Sequence, residues 1–168
     1  FVLNGQGANI VRLDYGANPA NAPVVVPINN LNGVIPITSG AQSMKLINNA
    51  GNWFLVVLAG GQTASYPPRL LTINSGPNIE NVNPSTVNWG NLGNLVEPTS
   101  IYLFLEQNTW YGLVLDAAQN ALFRIDFTSS LINAPTISLV GTMGMMYPTG
   151  ISVVNDDGTW RAFVTNGG

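Results

Sequence analysis

Asn155-Asp156-Asp157-Gly158-Thr159-Trp160 decides the fold of this chain, because the same element stands twice more upstream. Asn48-Asn49-Ala50-Gly51-Asn52-Trp53 and Glu106-Gln107-Asn108-Thr109-Trp110 also place a Trp after a polar turn and ahead of an apolar run. The chain opens on a further copy of that run: Phe1-Val2-Leu3-Asn4-Gly5 matches Phe163-Val164-Thr165-Asn166-Gly167. Phe1, Val56, Leu113 and Phe163 are then equivalent, spaced 55, 57 and 50 residues apart. A period near fifty is the mark of a solenoid, propeller or array.

Working outward from each Trp, the preceding segment reads as a first strand. Pro98-Thr99-Ser100-Ile101-Tyr102-Leu103-Phe104 matches Pro148-Thr149-Gly150-Ile151-Ser152-Val153-Val154, and the first unit has Ala41 at the Pro position and then Met44-Lys45-Leu46-Ile47. The turns carry Gly or Asn where a tight hairpin needs a positive φ. The second strand, Trp53 to Leu58, Trp110 to Leu115 and Trp160 to Val164, is short and apolar, the profile of a strand covered on both faces. A small-residue turn follows at Gly60-Gly61, Ala117-Ala118 and Gly167-Gly168, with Gly5 and Gly7 in the opening copy. The third strand (Val11 to Asp14, Leu71 to Asn74, Phe123 to Asp126) alternates apolar and polar residues, which predicts one buried and one wet face. The middle unit carries five extra residues before it, around Tyr66-Pro67-Pro68. Pro23, Pro84 and Pro135 each introduce a fourth strand, one of the few places a strand admits Pro.

Four short antiparallel strands per repeat is the blade of a β-propeller, and no 3.6-residue apolar periodicity competes with it. The expected fold class is all-β, with propeller-type repeats and about three blades in the chain. The whole of 1–168 reads as one repeat region, with units at about 1–55, 56–112 and 113–162 and the start of the next at 163–168. Propellers close with about four to eight blades. The chain is therefore expected to be a piece of a longer propeller, or else to pair with a second copy that completes the ring.

Composition narrows the functional classes. Charged residues make up 8% of the 168 residues, and Lys and Arg number five (Arg12, Lys45, Arg69, Arg124, Arg161). Phosphate binding needs clustered cations, so scattered ones in a chain of net charge −3 argue against nucleic acid as a partner. The longest apolar run, Trp53 to Ala59, is strand-sized and predicts no membrane insertion. There is no Cys and no His, which removes disulfides, thiolate sites, the commonest metal ligand and the commonest general base. An Asn- and Thr-rich surface of low charge suits a cell-surface or virion protein.

Several of these segments also carry a family likeness. Pro148-Thr149-Gly150-Ile151, the Asp157-Gly158-Thr159-Trp160 turn, Ala162-Phe163-Val164-Thr165-Asn166, Leu122-Phe123-Arg124-Ile125-Asp126-Phe127 and Ser130-Leu131-Ile132-Asn133-Ala134-Pro135 resemble the NHL-like propeller repeats of large surface adhesins that gliding bacteria secrete through the type IX system. The likeness runs over essentially the whole chain, and the middle unit departs most, with its insert and with Thr72 and Asn74 in place of Arg and Asp. It implies an extracellular structural or adhesive role and supplies no catalytic residues. The expected partners are other blades of the same or a second chain, with surface proteins or glycans, and no cofactor is expected. Phage or viral appendages would suit the same composition.

Among single residues, Trp89 occurs once rather than in every unit. With Tyr66 and Tyr147 it is the best candidate for ligand binding, by stacking on a sugar, against the plainer reading of a blade-filling aromatic. Trp53, Trp110 and Trp160 are expected to pack between blades. Arg12 with Asp14, and Arg124 with Asp126, sit two apart on one strand face; a cross-strand salt bridge accounts for them more plainly than an anion site. Asn155-Asp156-Asp157-Gly158 looks like a calcium loop but lacks the further acidic ligands, so no metal is expected. A glycoside-processing enzyme without His would need paired carboxylates about 5–9.5 Å apart. The candidates are Glu97, Glu106 and Asp116, which belong to different loops with nothing in the sequence to bring them together. A non-enzymatic role is the expectation.

Overall fold

The computed structural model describes residues 1–4, 9–29, 31, 41–61 and 67–168; Tyr66, Gly5 and Gly7 lie outside them. The described residues form strands and no helix. β1 (Val2–Asn4), β2 (Asn9–Asp14) and β3 (Val24–Pro27) make a first sheet. β4 (Ala41–Asn49), β5 (Asn52–Ala59), β6 (Arg69–Gly76) and β7 (Ser85–Gly90) make a second. β8 (Pro98–Glu106), β9 (Thr109–Asp116), β10 (Ala121–Asp126) and β11 (Thr136–Gly141) make a third, and β12 (Pro148–Asp156) pairs with β13 (Thr159–Asn166) as a hairpin. Within each sheet, strands consecutive in the chain pair antiparallel.

The recurrent turn before Trp explains the first hairpin of each unit. Ala50 and Gly51 have φ of 49° and 81°, Gln107 and Asn108 have 46° and 63°, and Asp157 and Gly158 have 50° and 82°. Two positive values in a two-residue loop match the right-handed twist of the flanking strands. The register then closes identically, with Asn49 opposite Asn52, Glu106 opposite Thr109 and Asp156 opposite Thr159.

Packing follows from the alternation of side chains along each strand. Leu55, Val57, Ala59, Leu71 and Ile73 join Ile10 of the first sheet, and Ile28 and Leu31 just after it, in one apolar layer. Their neighbours Phe54, Val56, Leu58 and Leu70 point the other way, into a layer with Ile101, Leu103, Trp110, Val114 and Ile125 of the third sheet. A third layer joins Leu113, Leu115 and Leu122 to Ile151, Val153, Trp160 and Val164. The sheets are therefore stacked face to face in chain order. Two of the three repeated Trp residues fit that order: Trp110 packs toward the second sheet, and the ring of Trp160 lies 4.5 Å from that of Phe104 in the third.

Stacking changes two expectations. The third strand was expected to be wet on one face, yet β6 is covered on both, because it stands between two sheets. Thr72 there is fully buried, and its hydroxyl accepts a hydrogen bond from Trp89 Nε1 at 3.2 Å. β13, by contrast, is largely exposed although it was expected to be covered. Among the described residues no sheet lies on its far side.

A serine bridges neighbouring sheets in the same way twice. Ser43 Oγ on β4 accepts the Ile101 N–H on β8 at 3.2 Å, and Ser100 Oγ on β8 accepts the Ile151 N–H on β12 at 3.4 Å. These serines are equivalent in the repeat, so consecutive first strands lie side by side in one recurring arrangement. The abundant Asn has a local task as well. Asn18, Asn74, Asn78, Asn81, Asn88 and Asn91 each accept the backbone N–H two residues on, the side-chain turn that Asn forms best.

Candidate functional site

At one end of the stack, the turns from second to third strand meet the links that lead into each first strand. Pairing of Pro98 with Asp116 and of Pro148 with Asn166 fixes this meeting. Asp116 is fully buried. Its carboxylate accepts N–H groups from Val96 at 2.7 Å, Glu97 at 3.0 Å and Gln119 at 3.2 Å, while the Ala117 N–H donates to the Glu97 carbonyl at 2.9 Å. A buried carboxylate so supplied with donors is a structural clamp. The next unit repeats it in weaker form: Asn166 Oδ1 accepts the Met146 N–H at 3.2 Å, and the Gly167 N–H donates to the Tyr147 carbonyl at 2.9 Å.

Glu97 and Tyr147 therefore occupy the same place in successive units, and their side chains meet. The Tyr147 hydroxyl donates to Glu97 Oε1 at 2.8 Å. The Tyr147 N–H donates to Asn120 Oδ1 at 2.6 Å, and Thr99 Oγ1 donates to the Pro148 carbonyl at 2.7 Å. The hydrogen bond to Glu97, and then its negative charge, raise the Tyr147 phenol above its ordinary pKa. Beside this pair lies a cavity of about 420 Å³ lined by Ala117, Ala118, Asn120, Met146, Tyr147 and Gly168. Tyr147 is 48% and Met146 63% exposed, and Val96 and Met143 are also exposed. The arrangement offers a flat aromatic face next to carboxylate and amide groups, which suits an amphipathic, hydroxyl-bearing ligand.

The two described candidate aromatics, Trp89 and Tyr147, do not share one setting. Trp89 is half-buried against the layer between the second and third sheets, with its N–H given to Thr72. Tyr66 is outside the described residues. Of the two described, Tyr147 lines the cavity and Trp89 does not.

Among the carboxylates, the structure brings together two that the sequence left apart. Glu97 and Asp116 adjoin, through the Asp116 side chain and the Glu97 backbone. Glu106 sits at the other end of β8 and accepts Trp160 Nε1–H at 2.8 Å. Arg12 does not bridge strands: it grips Asp14 on its own strand with two hydrogen bonds of 2.7 and 2.8 Å and donates to the Ile79 carbonyl at 3.2 Å. The contact raises the Arg12 pKa and lowers that of Asp14. Arg124 instead lies over the Tyr111 ring at 5.8 Å, while Asp126 accepts the Thr128 N–H. In the acidic turn, Asn155 Oδ1 accepts the Gly158 N–H at 2.8 Å and Asp156 pairs with Arg161. Among the described residues no cluster of three or more acidic side chains is placed to hold a metal, and no helix is long and apolar enough to cross a membrane.

Sequence reading missed Asn120 and the two bridging serines. The serines carried a signal, since Ser43 and Ser100 stand at the same place in two units. Asn120 carried none, because its role depends on where the next link passes.

No protein-family model, curated protein or solved structure matches the chain.

Proposed function

We propose that the chain is a propeller-type segment of an extracellular or virion-surface protein, with a structural and adhesive role that displays loops from a rigid stack of blades. One observation carries the architectural part: the Ser43 and Ser100 bridges recur between equivalent atoms of successive sheets, so one repeated operation relates neighbouring blades. The adhesive part is supported by the exposed apolar residues Val96, Met143, Met146 and Tyr147, carried on the links at or near one end of the stack. Scattered surface apolars are ordinary, but several gathered on loops suit contact with another surface. The resemblance to type IX-secreted adhesin repeats agrees with this reading. Beads coated with the chain should be retained on cell or glycan-bearing surfaces, and retention no better than on uncoated beads rejects adhesion.

A lectin-like second reading rests on the Tyr147 cavity. There an aromatic face adjoins the Glu97 carboxylate and the Asn120 amide. A glycan array tests it: binding should be lost in Tyr147→Ala and kept in Trp89→Phe. Silence across the array leaves adhesion to protein surfaces as the surviving form of the proposal.

A further inference from the structure

The outer rim of the stack departs from the repeat at one position. Val11, Leu71 and Phe123 are equivalent on the third strand, and across from them on the fourth stand Pro27, Asn88 and Leu139. Proline cannot donate to a ladder and commonly guards an edge strand. Asn88 turns its Oδ1 onto the Gly90 N–H at 2.9 Å, so its side chain closes on its own backbone. Leu139 does neither. It shares a face with Phe123, which packs toward the second sheet, and it is 61% exposed although that sheet is in place. The strand that carries it, β11, reads Thr-Ile-Ser-Leu-Val-Gly, with no charge and no proline. β11 is the outermost strand of a four-stranded sheet: β10 pairs with one of its edges, and among the described residues no strand lies along the other. The inner edges differ, because the N–H groups of Ile101 and Ile151 each reach a serine of the preceding unit. An open edge presents N–H and C=O groups at ladder spacing, and another extended backbone is what satisfies them in series.

The sequence of β11 also says which backbone fits. Antiparallel pairing of the strand with itself about Ser138 sets Ile137 opposite the second copy's Leu139, and Leu139 opposite the second copy's Ile137. These two residues share a face, being two apart on a strand, and directly opposed apolar side chains stabilise an antiparallel pair. We propose that two copies of the chain join edge to edge through β11, about a twofold axis at Ser138, so that their third sheets run on as one. The contact is isologous, with the same strand on both sides. Val140 has no partner on β10, between Leu139 opposite Phe123 and Gly141 opposite Leu122, and this irregularity limits the new ladder to a few residues. Such a contact buries far less than the ~1,600 Å² of a standard interface. The dimer is therefore weak and forms at high protein concentration.

The chain has no cysteine, so single cysteines test the pairing cleanly. Residues opposite each other in an antiparallel pair have Cα atoms ~4.5–5.5 Å apart, within the span of a disulfide. Under mild oxidation Ser138→Cys should cross-link to itself about tenfold or more faster than Asn88→Cys on the guarded rim of the second sheet, because pairing raises the local concentration of the second thiol. In an equimolar mixture, Ile137→Cys should link to Leu139→Cys faster than either links to itself, which reads the register. Sedimentation equilibrium of the wild type should show a dimer that grows with concentration. Leu139→Lys should weaken it by about tenfold, since it removes two apolar pairs and charges the edge. Leu105→Lys, at an exposed leucine near the turn end of β8, should leave it unchanged. Circular dichroism confirms that each variant is folded. A wild type that stays monomeric at every concentration overturns the proposal, as does Ser138→Cys cross-linking no faster than Asn88→Cys, or association that Leu139→Lys leaves intact.

Discussion

The Tyr147 hydroxyl hydrogen-bonds Glu97 Oε1 at 2.8 Å, and the two residues hold the same position in successive repeat units. A repeat that put identical residues there would have placed like groups side by side. Divergence at this one position turned a structural corner into a joint between units, with a cavity beside it.

The first prediction concerns pH. Glu97 raises the Tyr147 phenol above its usual value, near 10 for a free tyrosine. A group whose folded pKa is raised contributes stability that is fully present below the unfolded value and lost as pH rises through the folded one. Phenolate absorbance, taken as the difference between wild type and Tyr147→Phe, should show this tyrosine ionising late. Glu97→Gln should bring its midpoint down toward the ordinary value; an unmoved midpoint would mean that the contact is absent in solution.

The bridging serines give the second. Ser43→Ala and Ser100→Ala each leave a backbone N–H of the next first strand, that of Ile101 or Ile151, without its acceptor. Each should cost about 1 kcal/mol in urea unfolding, the scale of one net hydrogen bond. The two lie in different junctions, so the double variant should lose the sum within about 0.5 kcal/mol.

Trp110 supplies the third. Its indole N–H is buried with no acceptor among the described residues, whereas the equivalent Trp160 donates to Glu106 at 2.8 Å. Asn49 occupies the position in the second unit that Glu106 occupies in the third. Asn49→Glu is expected to supply the missing acceptor and raise stability by about 0.5–1.5 kcal/mol. No gain in the denaturation midpoint would show that the equivalence stops short of this atom.

Equivalent positions with unequal burial give the fourth. Val56→Ala removes fully buried methyls between two sheets and should cost roughly 2 kcal/mol from transfer and cavity together. Phe163→Ala, at the same repeat position but 63% exposed, should cost the isolated fold about 0.5 kcal/mol or less. Thermal unfolding at low protein concentration distinguishes them.

Much of the fold was legible because its determinants are local. The turn before each Trp specifies a hairpin by its own backbone preferences, and the apolar runs from Trp53, Trp110 and Trp160 announce strands whatever surrounds them. What was not legible depends on neighbours. Alternation in Leu71-Thr72-Ile73-Asn74 suggested a wet face, but a second sheet covers it and Thr72 is satisfied by Trp89. Glu97 and Asp116 stood in separate loops on paper, and strand register alone joins them. Arg12 and Asp14 are two residues apart on one strand, close enough to bind each other, and the sequence suggested a partner on another strand instead.

Because among the described residues each sheet packs against the one before and the one after, the molecule behaves like a row of coupled links. Injury at one junction should fade within a unit or two. Amide protons in the central sheets should outlast those in the terminal hairpin by a wide margin in exchange experiments, and that gradient would trace where a new insert is best tolerated.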